Sequence, residues 1–251
     1  MTNRPPDTDR ILTRLDEYLN KNDYASAERH LLYWLSEAER GRDVRMELLV
    51  RNELMGLYRK LGREREALEC VSAALALIEA NGVSGQVGAA TTYLNCATVY
   101  KAFGRAEESL PLFERAREVY ERELDPTDSR LGGLYNNMAL TLVDLRRFSE
   151  ANALYRHAIS VMESSDGGAL EVAITYLNMA SAAEAERGLE ESESTVQSYL
   201  DIAERLLEEH TKRDGYYAFV CEKCASVFGY YGRFFYENEL KERAKRIYEG
   251  A

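Results

Sequence analysis

Apolar and polar residues follow a helical period along most of this chain, and one pattern of them recurs. Tyr93-Leu94-Asn95-Cys96-Ala97 returns as Tyr135-Asn136-Asn137-Met138-Ala139 and again as Tyr176-Leu177-Asn178-Met179-Ala180, with the asparagines 42 and 41 residues apart. Residues three or four positions apart share one face of a helix. On that spacing Leu94, Ala97 and Tyr100 or Val99 form the set expected to pack inward. Asn95 falls on a different stripe, with Thr91, Thr98, Lys101 and Ala102. The next copies of that stripe read Gly133, Asn137, Leu140, Asp144 and then Ile174, Asn178, Ser181, Ala185. Asparagine is a mediocre helix former, because its amide competes for backbone hydrogen bonds. Its return at one register needs a reason, and a mixed stripe of small and polar residues suits a face left open.

A second signature follows each copy. Leu57-Tyr58-Arg59-Lys60-Leu61-Gly62-Arg63 precedes Val99-Tyr100-Lys101-Ala102-Phe103-Gly104-Arg105 by 42 residues. Ala139 and Ala158 are 19 apart, as are Ala225 and Ala244. Each unit therefore reads as helix, tight turn, helix, with Gly62, Gly104, Gly188 and Gly232 at turns and small residues where helices approach closely. Helix-stopping residues gather in links at 81–85, 125–128, 164–168 and 213–215. The expected fold is all-α, with about twelve helices in six hairpins over units 8–40, 44–80, 86–122, 128–164, 169–209 and 213–249. A single solenoid spanning 8–251 is expected after a disordered tail at 1–7.

Composition narrows the function classes. Only four prolines in 251 residues agree with helix nearly throughout. Apolar residues make up 45% and charged residues 30%, which marks a chain able to fold around a core. The net charge of −11 disfavours general binding to phosphate backbones, so no nucleic-acid partner is expected. The start is polar, and no apolar run reaches membrane-spanning length, so no membrane partner is expected. The four cysteines lack a disulfide-framework spacing, and a reduced, cytoplasmic protein is the expectation.

The small and aromatic positions resemble those of the tetratricopeptide repeat family: Ala97, Tyr100, Gly104, Phe113 and Ala116 in one unit, Ala139, Phe148, Ala151, Tyr155 and Ala158 in the next. The repeat length, the pair Asn136-Asn137 and the link Leu124-Asp125-Pro126-Thr127-Asp128-Ser129 resemble the long-repeat branch typified by kinesin light chains. The resemblance implies a right-handed α-α superhelix in which the first helix of each hairpin lines a concave groove. It also implies a binding scaffold without catalysis. In the family the asparagine two residues before the small residue often faces the groove and holds a peptide. Asn95, Asn137 and Asn178 match that place, and Thr91, Thr98, Lys101, Asn136, Asp144, Ser181 and Lys223 complete the expected peptide-binding set. The family's carboxylate clamp needs Lys or Arg where this chain has Leu49, Thr91, Gly133, Ile174 and Phe219. An internal segment of a protein or peptide partner is therefore expected rather than a free C-terminus. The alternative use of the asparagines is contact with one another or with the next helix.

Other chemistry is weaker. Cys221 and Cys224 have metal-like spacing, but no second close pair exists to complete a tetrahedral set, and they fall on core-facing registers. His30, His157 and His210 lie in different units without a nucleophile or carboxylate at a recognisable spacing. No enzyme activity, cofactor or metal is expected. The last hairpin is rich in aromatics (Tyr216, Phe219, Tyr230, Phe234 and Phe235 among them), more than one core needs. The surplus suggests a partner surface or a homodimer contact as the alternative function.

Overall fold

The computed structural model of the chain describes residues 8–165 and 167–250; the tail at 1–7, expected to be disordered, lies outside the described residues, as do Asp166 of the third link and Ala251. The described residues form twelve α-helices and no strand. They pair as six hairpins: α1 (Thr8–Asn20) with α2 (Tyr24–Gly41), α3 (Val44–Lys60) with α4 (Glu64–Ala80), α5 (Val87–Ala102) with α6 (Ala106–Glu123), α7 (Ser129–Asp144) with α8 (Phe148–Glu163), α9 (Ala169–Arg187) with α10 (Leu189–Glu209), and α11 (Gly215–Tyr230) with α12 (Phe234–Gly250). The packing divides into two compact units, Met1–Glu123 and Leu124–Ala251.

One turn closes nearly every hairpin. Asn22, Gly62, Gly104, Arg146 and Gly232 each adopt a left-handed backbone, at φ 54, 67, 75, 59 and 84°. The next residue's N–H then reaches back to a carbonyl of the first helix: Asp23 to Tyr18, Arg63 to Tyr58, Arg105 to Tyr100, Arg147 to Leu142, Arg233 to Phe228, all at 2.8–2.9 Å. This closure satisfies carbonyls the helix end would otherwise orphan, and glycine suits it because it has no Cβ to clash. The α9–α10 turn differs. Only Gly188 (φ 83°) separates those two helices, and its N–H bonds to the Glu184 carbonyl at 2.7 Å.

In unit 1, α3 packs on its partner α4 and also on α5, the first helix of the next hairpin; in unit 2, α9 does the same with α10 and with both α7 and α11. Close approach rests on the small positions: Ala67, Ala97 and Ala116 in unit 1, and Ala139, Ala151, Ala158, Ala225 and Ala244 in unit 2, are fully buried. Phe113 and Tyr155 occupy one register 42 residues apart, and both are fully buried. The inward set expected on α5 is shifted. Leu94 and Tyr100 are only half-buried, while Tyr93, Cys96, Ala97 and Val99 are buried. The cause is that α5 is covered on two flanks, by α6 and by α3, so its buried arc is wider than a one-sided stripe.

Candidate functional site

In unit 1 the expected face belongs to α5, with α3 beside it. Asn95 is half-buried at mid-helix, and among the described residues of its unit nothing hydrogen-bonds its amide. Its neighbours on the stripe are satisfied locally. The Thr91 hydroxyl meets the Val87 carbonyl at 3.2 Å and the Tyr120 hydroxyl at 2.7 Å, and the Thr98 hydroxyl donates to the Leu94 carbonyl at 2.8 Å. Lys101 is half-buried in the last turn of the helix. One repeat earlier the Asn95 register holds Glu53, half-buried, whose carboxyl is raised above its usual range by burial and then by the like charge of Asp16. The first halves of α3 and α5 also border a cleft of about 600 Å³ walled by Leu48, Leu49, Val83 and Ala89. Asn52 lies along it, donating from Nδ2 to the Thr92 hydroxyl at 3.1 Å. Its Oδ1 is buried without a hydrogen-bond partner.

Unit 2 uses its asparagines differently. Asn178 Nδ2 on α9 donates to Asn136 Oδ1 on α7 at 3.1 Å, and Asn136 is only 8% exposed. Asn137 Nδ2 turns back to the Gly133 carbonyl of its own helix at 2.9 Å. Ser181 is exposed and bonds weakly to the Leu177 carbonyl at 3.3 Å. Asp144 is exposed at the end of α7, and Lys223 is exposed in the middle of α11. Asn136 and Asn178 are joined by a direct hydrogen bond between helices.

Two carboxylates on α9 were not anticipated. Tyr216 donates to Glu171, while Tyr230 and Tyr231 donate to the two oxygens of Glu184, each at 2.7 Å. The tyrosines lie 45 to 47 residues downstream of their acceptors, one repeat away. That spacing was present in the sequence as a signal. Phe219 is half exposed and stacks on Tyr216 with ring centroids 6.3 Å apart.

Elsewhere the reactive groups are quenched. All four cysteines are free and buried, and burial pushes their thiols up: Cys70 and Cys221 to about 11, Cys96 and Cys224 to about 12. A thiol so raised is a poor nucleophile and a poor metal ligand at neutral pH. Among the described residues no helix is long and apolar enough to cross a membrane.

Against known proteins, residues 47–122 match one tetratricopeptide repeat model and residues 132–164 match another. The chain carries tetratricopeptide repeats. Among solved structures, BtubC (BKLC) from P. vanneervenii is similar with a TM-score of 0.69 at 20% identity, covering 82% of this chain and 83% of that one. The putative kinesin light chain nearly identical TPR-like repeats of Podosopora anserina are similar with a TM-score of 0.55 at 16% identity, covering 80% of this chain and 94% of theirs. A singly substituted form of those repeats gives 0.56 at 16% identity, covering 80% of this chain and 93% of that one. No curated protein matches the sequence. The six helical hairpins of the described residues thus share the tetratricopeptide-repeat fold of solved repeat arrays. Such repeats generally serve as non-catalytic scaffolds for protein–protein interaction.

Proposed function

We propose that this protein is a non-enzymatic scaffold, and that the first-helix faces of its repeats bind an extended internal segment of a partner protein. The observation that carries the reading is Asn95. A half-buried amide that weakens its own helix and meets no partner in its unit is poised to pair with a peptide's N–H and C=O together. The buried, raised thiols favour a scaffold over a nucleophilic enzyme and suit a reducing, cytoplasmic setting. The test is selection of peptides from a displayed library against the whole chain, followed by affinity measurement on Asn95→Ala. Loss of affinity by about tenfold, the worth of one well-made polar contact, is expected. Unchanged affinity for every selected peptide contradicts the reading.

A second reading has one observation in its favour. Phe234 and Phe235 are 63% and 95% exposed at one turn, next to the 69% exposed Tyr230, so a monomer leaves both phenylalanine rings largely in solvent. On this reading the C-terminal hairpin joins two copies. Sedimentation of the wild type and of Phe235→Ser decides it: a dimer that dissociates in the variant supports self-assembly, and a monomer in both removes it.

A further inference from the structure

Several partly buried carboxylates are matched to arginine: Glu28 pairs with Arg63, Glu47 with Arg51 and Glu204 with Arg233, at 2.6–2.9 Å. Glu171 and Glu184 are not, and in this they resemble Glu53. Both are half-buried on α9, both are held by tyrosine hydroxyls from α11 or the turn that ends it, and neither has a cation partner among the described residues. A neutral glutamine at 171 would accept the same tyrosine hydrogen bond, and at 184 it would accept one and donate its amide N–H to the oxygen of the other tyrosine. Anchoring α11 on α9 therefore does not by itself require the negative charges.

The surroundings say what those charges face. Tyr216 and Phe219 present stacked rings beside Glu171, and Tyr230 presents a ring beside Glu184, 69% exposed. Aromatic faces next to carboxylates form a good cradle for guanidinium or ammonium groups. Unit 2 as a whole holds 22 acidic and 14 basic residues, against 21 and 18 in unit 1, so most of the chain's negative charge lies on this side. Between the two carboxylates, the middle of α11 exposes Lys223, which has no ion-pair partner among the described residues.

We propose that the α9–α11 face of unit 2 binds an extended protein segment carrying two Lys or Arg side chains, one to each carboxylate, with an acidic residue midway opposite Lys223. This rests on the peptide-binding reading above and gives the partner a charge pattern. Glu171 and Glu184 are 13 residues apart on one helix, about 20 Å at 1.5 Å per residue. An extended chain covers that distance in about six residues. The segment therefore reads basic, two residues, acidic, two residues, basic.

An array of synthetic peptides tests the pattern by fluorescence anisotropy on the whole chain. Its members carry an Arg pair at separations from three to nine with a central Glu, together with neutral and charge-reversed counterparts. Affinity is expected to peak near a separation of six and to fall with added salt. Glu171→Gln and Glu184→Gln are each expected to weaken the best peptide about threefold to tenfold, with the melting temperature nearly kept. Lys223→Glu should remove the preference for the central Glu. If neutral peptides bind as well as basic ones, or if affinity is flat with separation, the charge pattern is wrong and the peptide-binding reading stands. If the Gln variants lower stability without changing affinity, the carboxylates serve only to anchor α11 and the proposal fails. If no member of the array binds while library-selected peptides do, the pattern fails alone; if neither set binds, both readings fail.

Discussion

The two units are built from the same hairpin and differ in how they use the faces that the hairpin leaves free. In unit 1 the amide of Asn95 is unspent within the unit, and Asn52 keeps a buried acceptor without a partner. In unit 2 Asn178 and Asn136 are tied together, Asn137 is turned onto its own helix, and the surface is given over to carboxylates and aromatic rings. The interior does not diverge in this way. The small residues and turn geometry recur in both units, because helix spacing and chain reversal tolerate few substitutes. Shared packing with diverging polar chemistry is what a scaffold needs if its two halves are to meet different chemical groups.

The interior similarity breaks most sharply at one register. Phe113 in unit 1 and Tyr155 in unit 2 are fully buried counterparts. Phe113→Ala should cost about 3–5 kcal/mol by chemical denaturation, the sum of lost transfer energy and a cavity. A cost below about 1 kcal/mol would show that the register is not a core position. The reverse experiment gains stability. Tyr155 buries a hydroxyl with no partner, and burial raises its pKa strongly. Tyr155→Phe, which copies unit 1, should stabilise by about 1–2 kcal/mol, and Phe113→Tyr should cost about as much. A loss on Tyr155→Phe would mean that the hydroxyl is bonded after all.

The asparagines sharpen the contrast at smaller scale. Asn178→Ala strips the donor from the buried Asn136 and should cost about 1 kcal/mol, whereas Asn137→Ala, which removes a bond only within its own helix, should stay within about 0.5 kcal/mol of wild type. Equal costs would erase the distinction between an interhelical and a local amide.

Acidification should act in opposite directions through two carboxylates, one in each unit. Glu53 in unit 1 has a folded pKa raised above 4.5 by burial and Asp16, so its ionised form is disfavoured in the fold. The stabilising contribution of its protonated form is complete below the unfolded value and is lost as pH rises through the folded one. Glu208 in unit 2 is held low, chiefly by the Arg243 hydrogen bond, and its contribution is present above the unfolded value and lost as pH falls through the folded one. Thermal melts of Glu53→Gln should therefore show a gain over wild type at pH 7 that shrinks by pH 4. A gain that is constant with pH would remove titration as its cause.

Much of the fold was legible because its constraints are local. Gly62, Gly104 and Gly232 mark left-handed turn positions, and alanines at fixed registers mark close helix contacts. Where those marks are missing, the geometry persists, with Asn22 and Arg146 taking the left-handed turn themselves. The site was less legible. Adjacent residues on a helix point about 100° apart, and a one-sided reading of α5 placed Leu94 and Tyr100 inward when its second flank, against α3, favours Tyr93 and Cys96. For the same reason the pair Asn136-Asn137 did not reveal which amide would meet Asn178. Glu171 and Glu184 look like ordinary surface charges until tyrosines from the next hairpin are brought to them.

The central claim is that Asn95 is retained for contact and not for stability. Measuring unfolding free energy and affinity for library-selected peptides together, on wild type and Asn95→Ala, tests it most directly. The account predicts a variant as stable as wild type or better by about 0.5 kcal/mol, since alanine is the stronger helix former, with affinity reduced about tenfold. A variant that loses stability while binding its peptides as tightly as wild type would contradict it.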